Sequence, residues 1–295
     1  MRIDAYIQNL VARLAALYSR EEAKSLGLML LEHYASLPSH AYYSQPSKEI
    51  PTPAQAALDA ALEDLAKGRP IQYIIGSSHF DGMDLLVREG VLIPRPETEE
   101  LLRWAGNWLW EPCCDGHPEL RILDLCTGSG ALALALAKRF PKAGVYGVDI
   151  SEEALAVARE NNRRQGLAVE FVQGDMLETG SSSILENFAC KTEGFDLIVS
   201  NPPYVCASEA AQMRRNVLGY EPSLALFVPD ADPLRFYHAL AVWGKRQLRP
   251  KGALMMEINE AFGSQLVLLF ESEGFAQVQL RKDLFGKDRM LQAIL

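Results

Sequence analysis

The sequence predicts an α/β chain: an open, mostly parallel seven-stranded sheet with helices on both faces, behind a helical bundle and a β-hairpin connector. Three observations predict it. From Arg121 onward, short apolar runs alternate with segments of helical period. Before residue 70, apolar residues recur at three- and four-residue steps. Between the two, Asp81-Gly82 separates apolar segments, the signature of a tight hairpin. The expected divisions are 1–70, 71–100 and 101–295.

In the first part, Ile3, Tyr6, Ile7, Leu10, Leu14, Leu17 and Tyr18 mark one helix face. Ser19 and Glu22 have capping-box spacing, which predicts a second helix from Arg20 to about Tyr34, with Leu26, Met29, Leu30 and His33 on one side. Thr52-Pro53-Ala54-Gln55 reads as a further capping box before a helix over Ala56–Lys67 that stops at Gly68. In the connector, Ile71–Gly76 leads into Ser78–Val87, and the prolines of Val91-Leu92-Ile93-Pro94-Arg95-Pro96-Glu97-Thr98-Glu99 hold the backbone extended. Thr98 and the acids after it suit a helix start.

The expected strands of the third part are Arg121–Cys126, Val145–Asp149, Ala168–Gln173, Phe195–Ser200, Ala253–Ile258, Phe275–Arg281 and Met290–Leu295. Helices are expected at Ala131–Phe140, Glu152–Gln165 (capped by Ser151), Pro233–Leu248 and Phe262–Glu273. Two consecutive strands at the end break the alternation, so the closing hairpin is expected to run antiparallel.

Composition narrows the function. In 295 residues, 29 Lys and Arg face 38 Asp and Glu, a net charge of −9. Residues 1–70 carry 7 basic and 8 acidic side chains, so nearly all the acidic surplus lies beyond them. Affinity for nucleic acid built on bulk positive charge is therefore not expected. No apolar run reaches a membrane span, and Asp4 interrupts a start unlike a signal peptide. Cys113, Cys114, Cys126, Cys190 and Cys206 show no Cys-x-x-Cys spacing, as expected of reduced thiols in a cytoplasmic protein. His33, His40, His79, His117 and His238 form no metal-spaced pair, and no metal is expected.

The first strand runs into Asp124-Leu125-Cys126-Thr127-Gly128-Ser129-Gly130 and then a helix. Glycines there let backbone approach a ligand closely. Asp149 ends the next strand, 21 residues after Gly128, where a carboxylate can accept both ribose hydroxyls. By spacing alone, Gly128-x-Gly130-x-x-Ala133 with Asp149 also fits a dinucleotide fingerprint. Two details point elsewhere. Asp124 precedes the loop, where it can meet an amino group, and Asp175-Met176 after the third strand offers a carboxylate and an apolar contact to adenine. An adenosine with a cationic amino-acid tail, S-adenosyl-L-methionine, suits these carboxylates better than a diphosphate.

The fourth strand runs straight into Asn201-Pro202-Pro203-Tyr204. Ligands of such sheets bind beyond the carboxyl ends of the strands, which places this turn beside the glycine loop. The Asn201 side-chain oxygen and the Pro202 carbonyl can each accept from an NH2 group, and Tyr204 offers a ring face. A conjugated amino group is a poor nucleophile. Gripping both hydrogens aims its lone pair at a methyl sulfonium and favours the charge that develops on nitrogen.

The order of these parts resembles the PrmC/HemK family of protein-(glutamine-N5) methyltransferases. The local matches are Arg69–Gly76, Val91–Glu99, Asp124–Gly130, Ser200–Tyr204 and Tyr220-Glu221-Pro222-Ser223-Leu224-Ala225-Leu226. The resemblance implies a Rossmann-like class I S-adenosylmethionine-dependent methyltransferase sheet behind an N-terminal helical domain. The implied reaction is methyl transfer to the glutamine of the Gly-Gly-Gln motif in class-1 peptide chain release factors. By position, Asp124, Cys126, Thr127, Gly128, Ser129 and Gly130 would face the amino-acid end of the cofactor, Asp149 and Ile150 its ribose, and Asp175 and Met176 its adenine. Asn201, Pro202, Pro203 and Tyr204 would bind the glutamine, with Asn201 also near the cofactor and Asn201, Pro202 and Tyr204 as the catalytic set. The helical domain would dock the release factor, and a monomer without stable nucleic-acid or membrane partners is expected. The chain departs from the family at Cys126, where glycine is frequent, and at Met176, often an aromatic.

Three other readings stay open. A DNA adenine N6-methyltransferase needs the same grip on a flipped base. An NAD-binding oxidoreductase fits the fingerprint spacing. A non-catalytic binding protein would use the core only as a scaffold.

Overall fold

The computed structural model describes residues 1–110, 120–178 and 194–295. Cys113, Cys114, His117 and Cys190 lie outside the described residues. The chain forms two compact units, Met1–Ser77 with Arg214–Tyr220, and Ser78–Met213 with Glu221–Leu295.

The first unit is helical: α1 (Ile3–Leu14), α2 (Arg20–Ala35), α3 (Ala41–Ser44), α4 (Thr52–Ala66) and the single turn α5 (Ile71–Ile75). Ile3, Tyr6, Ile7, Leu10 and Leu14 are buried as their spacing predicts. The helix stops there, leaving Leu17 42% exposed. Ser19 caps α2, its Oγ accepting from Glu22 N at 3.2 Å. The buried face of α2 is Ala23, Gly27, Leu30 and Leu31, and not the expected set with Met29 and His33, which are exposed. Gly27 is the cause. A Cβ there would lie 2.7 Å from Ile7 Cδ1, so α1 rests on the bare glycine and turns α2 accordingly.

The expected box at Thr52 is not made. Helix α4 already begins at Thr52 behind Pro51, and Gln55 donates from Nε2 to the Ile50 carbonyl at 3.1 Å. Ile71, Ile74 and Ile75 pack into the helical core, so this unit runs past residue 70 into the expected connector.

The second unit opens with the hairpin β1 (Ser77–Phe80) and β2 (Met83–Leu86). Asp81 (φ 46°) and Gly82 (φ 69°) both have positive φ, the two-residue turn whose twist matches its strands. Helix α6 (Pro96–Leu109) starts with proline in its first turn, two residues before Thr98. The main sheet follows: β3 (Arg121–Leu125), α7 (Ala131–Arg139), β4 (Gly144–Asp149), α8 (Glu152–Gln165), β5 (Glu170–Gln173) and β6 (Phe195–Ser200). Two-residue strands β7 (Val205–Cys206) and β8 (Phe227–Val228) pair in parallel and were not foreseen. Helix α9 (Arg235–Gln247), β9 (Leu248–Glu257), α10 (Gly263–Ser272), β10 (Gln277–Lys282) and β11 (Asp288–Ile294) complete the unit.

The order across the seven strands is β10-β11-β9-β6-β3-β4-β5. The five from β9 to β5 are parallel, and β11 runs antiparallel to both its neighbours. Side chains alternate between two cores. Ile122, Leu197, Val199, Ala253 and Met255 face the core that includes α6 and α7. Leu123, Leu125, Ile198, Leu254 and Met256 face the core built with α9 and α10. Burial on both faces explains the uninterrupted apolar run Leu197-Ile198-Val199 in β6. The chain leaves β3 towards β4 on one side and returns through β6 on the other, so the carboxyl ends of β3 and β6 flank a topological switch point.

Candidate active site

Beyond those strand ends lies a cavity of about 500 Å³. Asp124, Cys126, Thr127, Gly128, Ser129, Asp149, Ile150, Asp175, Met176, Asn201 and Pro203 all line it. Gly130, Pro202 and Tyr204 of the expected set are not on its wall. Gly130 instead caps α7, its N–H donating to the Thr127 carbonyl at 2.9 Å.

Asp124 closes the floor of the glycine loop. Its Oδ2 accepts from Thr127 Oγ1 at 2.6 Å and from Ala133 N at 3.1 Å. Its Oδ1 is buried without a hydrogen-bond partner. Burial pushes this carboxyl up to about 7, against the pull of those two donors. A buried oxygen with no donor on a cavity wall fits a cationic ammonium group. The other carboxylates are better satisfied. Asp149 accepts from Gly128 N at 2.8 Å and Ser151 N at 2.9 Å, and burial still raises it. Asp175 accepts from Leu177 N at 2.8 Å, as a turn residue does, while lining the cavity.

Cys126 holds φ 60°, a left-handed conformation that favours glycine. Burial and the nearby Asp149 and Asp124 carboxylates push its thiol well up, so it stays protonated. Its Sγ lies 3.2 Å from Met176 Sδ. Met176 is buried, and its carbonyl accepts from Trp243 Nε1 at 3.0 Å. The Met176 side of the cavity therefore rests on a fully buried tryptophan of α9 that no sequence motif singled out.

The Asn-Pro-Pro-Tyr turn follows β6, whose last residue bonds to β3 through Ser200 Oγ and the Leu125 carbonyl at 2.7 Å. Asn201 Nδ2 donates to Thr98 Oγ1 at 3.1 Å. Thr98 in turn donates to Glu257 at the end of β9. Tyr204 is half-buried, with its hydroxyl 3.4 Å from Glu257 Oε2 and its carbonyl accepting from Asn259 Nδ2 at 3.1 Å. Burial pushes Glu257 up to about 7. Sequence reading missed Thr98 and Glu257 as site residues. The signal for Glu257 was available: an acid ending the apolar run Ala253–Met256, at the strand end where ligands gather.

Two of the sequence motifs supply further walls of the cavity. Glu221 is buried and accepts from Ile93 N at 3.2 Å and from Arg95 at 2.7 Å. Arg95 and the Glu221–Leu226 stretch are thereby tied together, and Arg95, Pro222, Leu224 and Ala225 all reach the cavity. Among the described residues no cluster of His, Cys, Asp and Glu could hold a metal ion, and no helix is long and apolar enough to cross a membrane.

Comparison with known proteins places this geometry. Residues 116–273 match the family described as Methyltransferase domain, and residues 5–76 match the PrmC N-terminal domain. The Release factor glutamine methyltransferase of Bacteroides thetaiotaomicron is 40% identical over 99% of both chains. That of Flavobacterium psychrophilum is 36% identical over 99% of both. That of Cereibacter sphaeroides is 37% identical over 100% of this chain and 99% of its own. Among solved structures, the human methyltransferase 10 domain containing protein superposes with a TM-score of 0.52 at 14% identity, covering 72% of this chain and 88% of that one, a likeness of fold. Identity of this order along the whole length makes the chain a member of the release factor glutamine methyltransferase family, a group of S-adenosylmethionine-dependent methyltransferases.

Proposed function

We propose that this protein methylates the side-chain amide nitrogen of the Gly-Gly-Gln glutamine in class-1 peptide chain release factors, using S-adenosyl-L-methionine. The observation that carries the reading is the Asn201 side chain, on the cavity wall with its Nδ2 taken by Thr98. Its Oδ1 is left to accept a hydrogen from a substrate amide. The names of the full-length relatives support the same substrate.

The residues present fit the cofactor. Asp124 Oδ1 would take the ammonium group, Asp149 the ribose hydroxyls, and Asp175 with Met176 the adenine. When bound, the cofactor supplies a sulfonium methyl group, which the amide nitrogen takes with loss of a proton, leaving a thioether. The protein's part is orientation. Asn201 Oδ1 on the cavity wall holds one amide hydrogen, and the adjoining Pro202 carbonyl, which is not on that wall, is assigned the other, so the nitrogen lone pair points at the methyl group. The same acceptors favour the positive charge that builds on nitrogen, and no strong base is needed before transfer. Tyr204 fixes the far side of the turn. The helical unit is assigned to docking the release factor, and the protein to acting as a cytoplasmic monomer.

The test is transfer of labelled methyl from S-adenosylmethionine to a class-1 release factor and, separately, to duplex DNA, with the modified residue located by mass spectrometry. Label on the Gly-Gly-Gln glutamine is expected. Label on DNA alone would replace this reading with adenine methylation. Tight NAD binding without binding of S-adenosylhomocysteine would replace it with an oxidoreductase.

A further inference from the structure

We propose that Glu257 and Thr98 are positioning residues that fix the hydrogen-bond polarity of Asn201, so that its oxygen and not its nitrogen faces the substrate amide. The inference rests on the reading of Asn201 as the glutamine grip. It concerns what makes that grip one-sided.

An asparagine amide is nearly symmetric in shape, and a half-turn about its last bond exchanges acceptor for donor. With the nitrogen facing the substrate, two NH2 groups would meet and the grip would fail. The structure contains a chain of bonds that forbids this. Glu257 ends the buried strand β9 and is 1% exposed. One of its oxygens accepts from the Thr98 hydroxyl. Thr98 has a single hydrogen to give, and with that hydrogen on Glu257 its oxygen can only accept. Asn201 Nδ2, 3.1 Å away, is the donor it takes. Rotating the Asn201 amide would set Oδ1 against the Thr98 lone pairs, acceptor against acceptor in a buried site, which is costly.

The same carboxylate holds the other end of the turn, with the Tyr204 hydroxyl 3.4 Å from its second oxygen. Asn259, two residues on, holds the Tyr204 carbonyl at 3.1 Å. The end of β9 thus sets both Asn201 and Tyr204 while standing behind them.

The relay needs an acceptor at Glu257 Oε1. Glu257 is pushed up to about 7, chiefly by burial. The titratable and charged groups facing it are Arg289 of β11, which lowers it, Glu97 of α6, which raises it, Tyr204 of the turn, and Tyr237 of α9. A proton on Oε1 would make Glu257 a donor to Thr98, and Thr98 would then present its own hydrogen to Asn201. The amide would be drawn round the wrong way. Turnover therefore falls as pH drops through the Glu257 titration.

The experiment measures kcat, the KM for release factor and the affinity for S-adenosylmethionine, with saturating cofactor, in Thr98→Val, Thr98→Ser and Glu257→Gln. Thr98→Val keeps shape and removes the hydroxyl. It is expected to lower kcat about 30-fold or more, the scale of losing one oriented transition-state contact, with cofactor affinity and KM within about 2-fold. Thr98→Ser restores the hydroxyl and should recover kcat to within about 3-fold. Glu257→Gln keeps a carbonyl for Thr98 without a titrating proton, so its kcat should lose the acidic limb that the wild-type protein shows. The proposal is overturned if Thr98→Val turns over at the wild-type rate, if Thr98→Ser is impaired as much as Thr98→Val, or if the acidic limb persists in Glu257→Gln. A wild-type protein that leaves the release factor unmethylated would overturn the reading of Asn201 on which the relay rests.

Discussion

The thiol of Cys126 lies 3.2 Å from the thioether sulfur of Met176. The two positions that stood out in the sequence as departures from the resembled family are therefore in contact. The thiol fills space that a larger side chain at 176 would need. A flexible thioether can bend round that thiol, as a flat ring could not.

The two substitutions are expected to couple. Met176→Phe alone should weaken cofactor binding about 10-fold through overpacking of the adenine wall. Combined with Cys126→Gly it should recover most of that loss, a coupling of about 1 kcal/mol in a double-mutant cycle. Calorimetric titration with S-adenosylhomocysteine measures it. Additive effects would show that the sulfur contact carries no energy.

Cofactor binding should depend on pH through Asp124. This carboxyl is held up to about 7, and an ammonium ligand requires it ionised. Affinity should fall by up to about 10-fold per unit as pH drops below that value, with proton release on binding. Asp124→Asn should bind weakly and without this dependence.

Asp124 also has a stability consequence of opposite sign. Because its folded pKa is raised to about 7, the folded chain holds a proton that the unfolded chain releases near pH 3.9. The resulting stability is fully present below the unfolded value and is lost as pH rises to the folded one. At pH 8 the cofactor-free protein carries a buried, half-satisfied charge. Asp124→Asn should then be more stable than the wild-type protein by roughly 1–4 kcal/mol, measured by urea unfolding. A less stable variant at pH 8 would mean that the charge is already compensated.

Asn201→Ala should leave cofactor affinity near normal and lower turnover by a factor on the order of 10² or more, because the contact matters most as charge develops on nitrogen. Single-turnover assays with a release factor separate this from slow product release. Unchanged turnover would remove Asn201 from the mechanism.

Gly27→Val tests the helical core. Its Cβ would stand 2.7 Å from Ile7 Cδ1, so α1 must shift or repack. A loss of about 1–3 kcal/mol is expected in thermal or urea unfolding, from overpacking and a β-branched residue in mid-helix.

Much of this architecture was legible in the sequence because it follows from period and punctuation. The strands expected at Arg121–Cys126 and Phe195–Ser200, the cap at Ser151 and the Asp81-Gly82 turn rest on local signals, and the structure has them, the first strand ending one residue earlier at Leu125. The face of α2 was misread because the decisive residue, Gly27, has no side chain to count, and its role is set by Ile7 of another helix. The site divides in the same way. Asp124, Asp149 and Asn201 could be found because they sit at or just beyond the carboxyl ends of strands. Thr98 and Glu257 could not be joined, because the bond between them spans 159 residues. Thr98 looked like a helix start, and only tertiary folding made it the middle of a relay.

The placement of β11 carries a consequence for how the protein is made. It pairs with β9 on one side and β10 on the other, setting Met290 opposite Glu257. During synthesis the parallel strands up to β9 can assemble while β9 still presents a bare edge, a template for pairing with another nascent chain. The strand that covers that edge follows β9 and β10 in the sequence, so it is made after both. Until it arrives, the carboxylate behind the Asn-Pro-Pro-Tyr turn sits on an open border. The free side of β9, with Glu257 at its end, is therefore covered only after β10 and β11 have both been made.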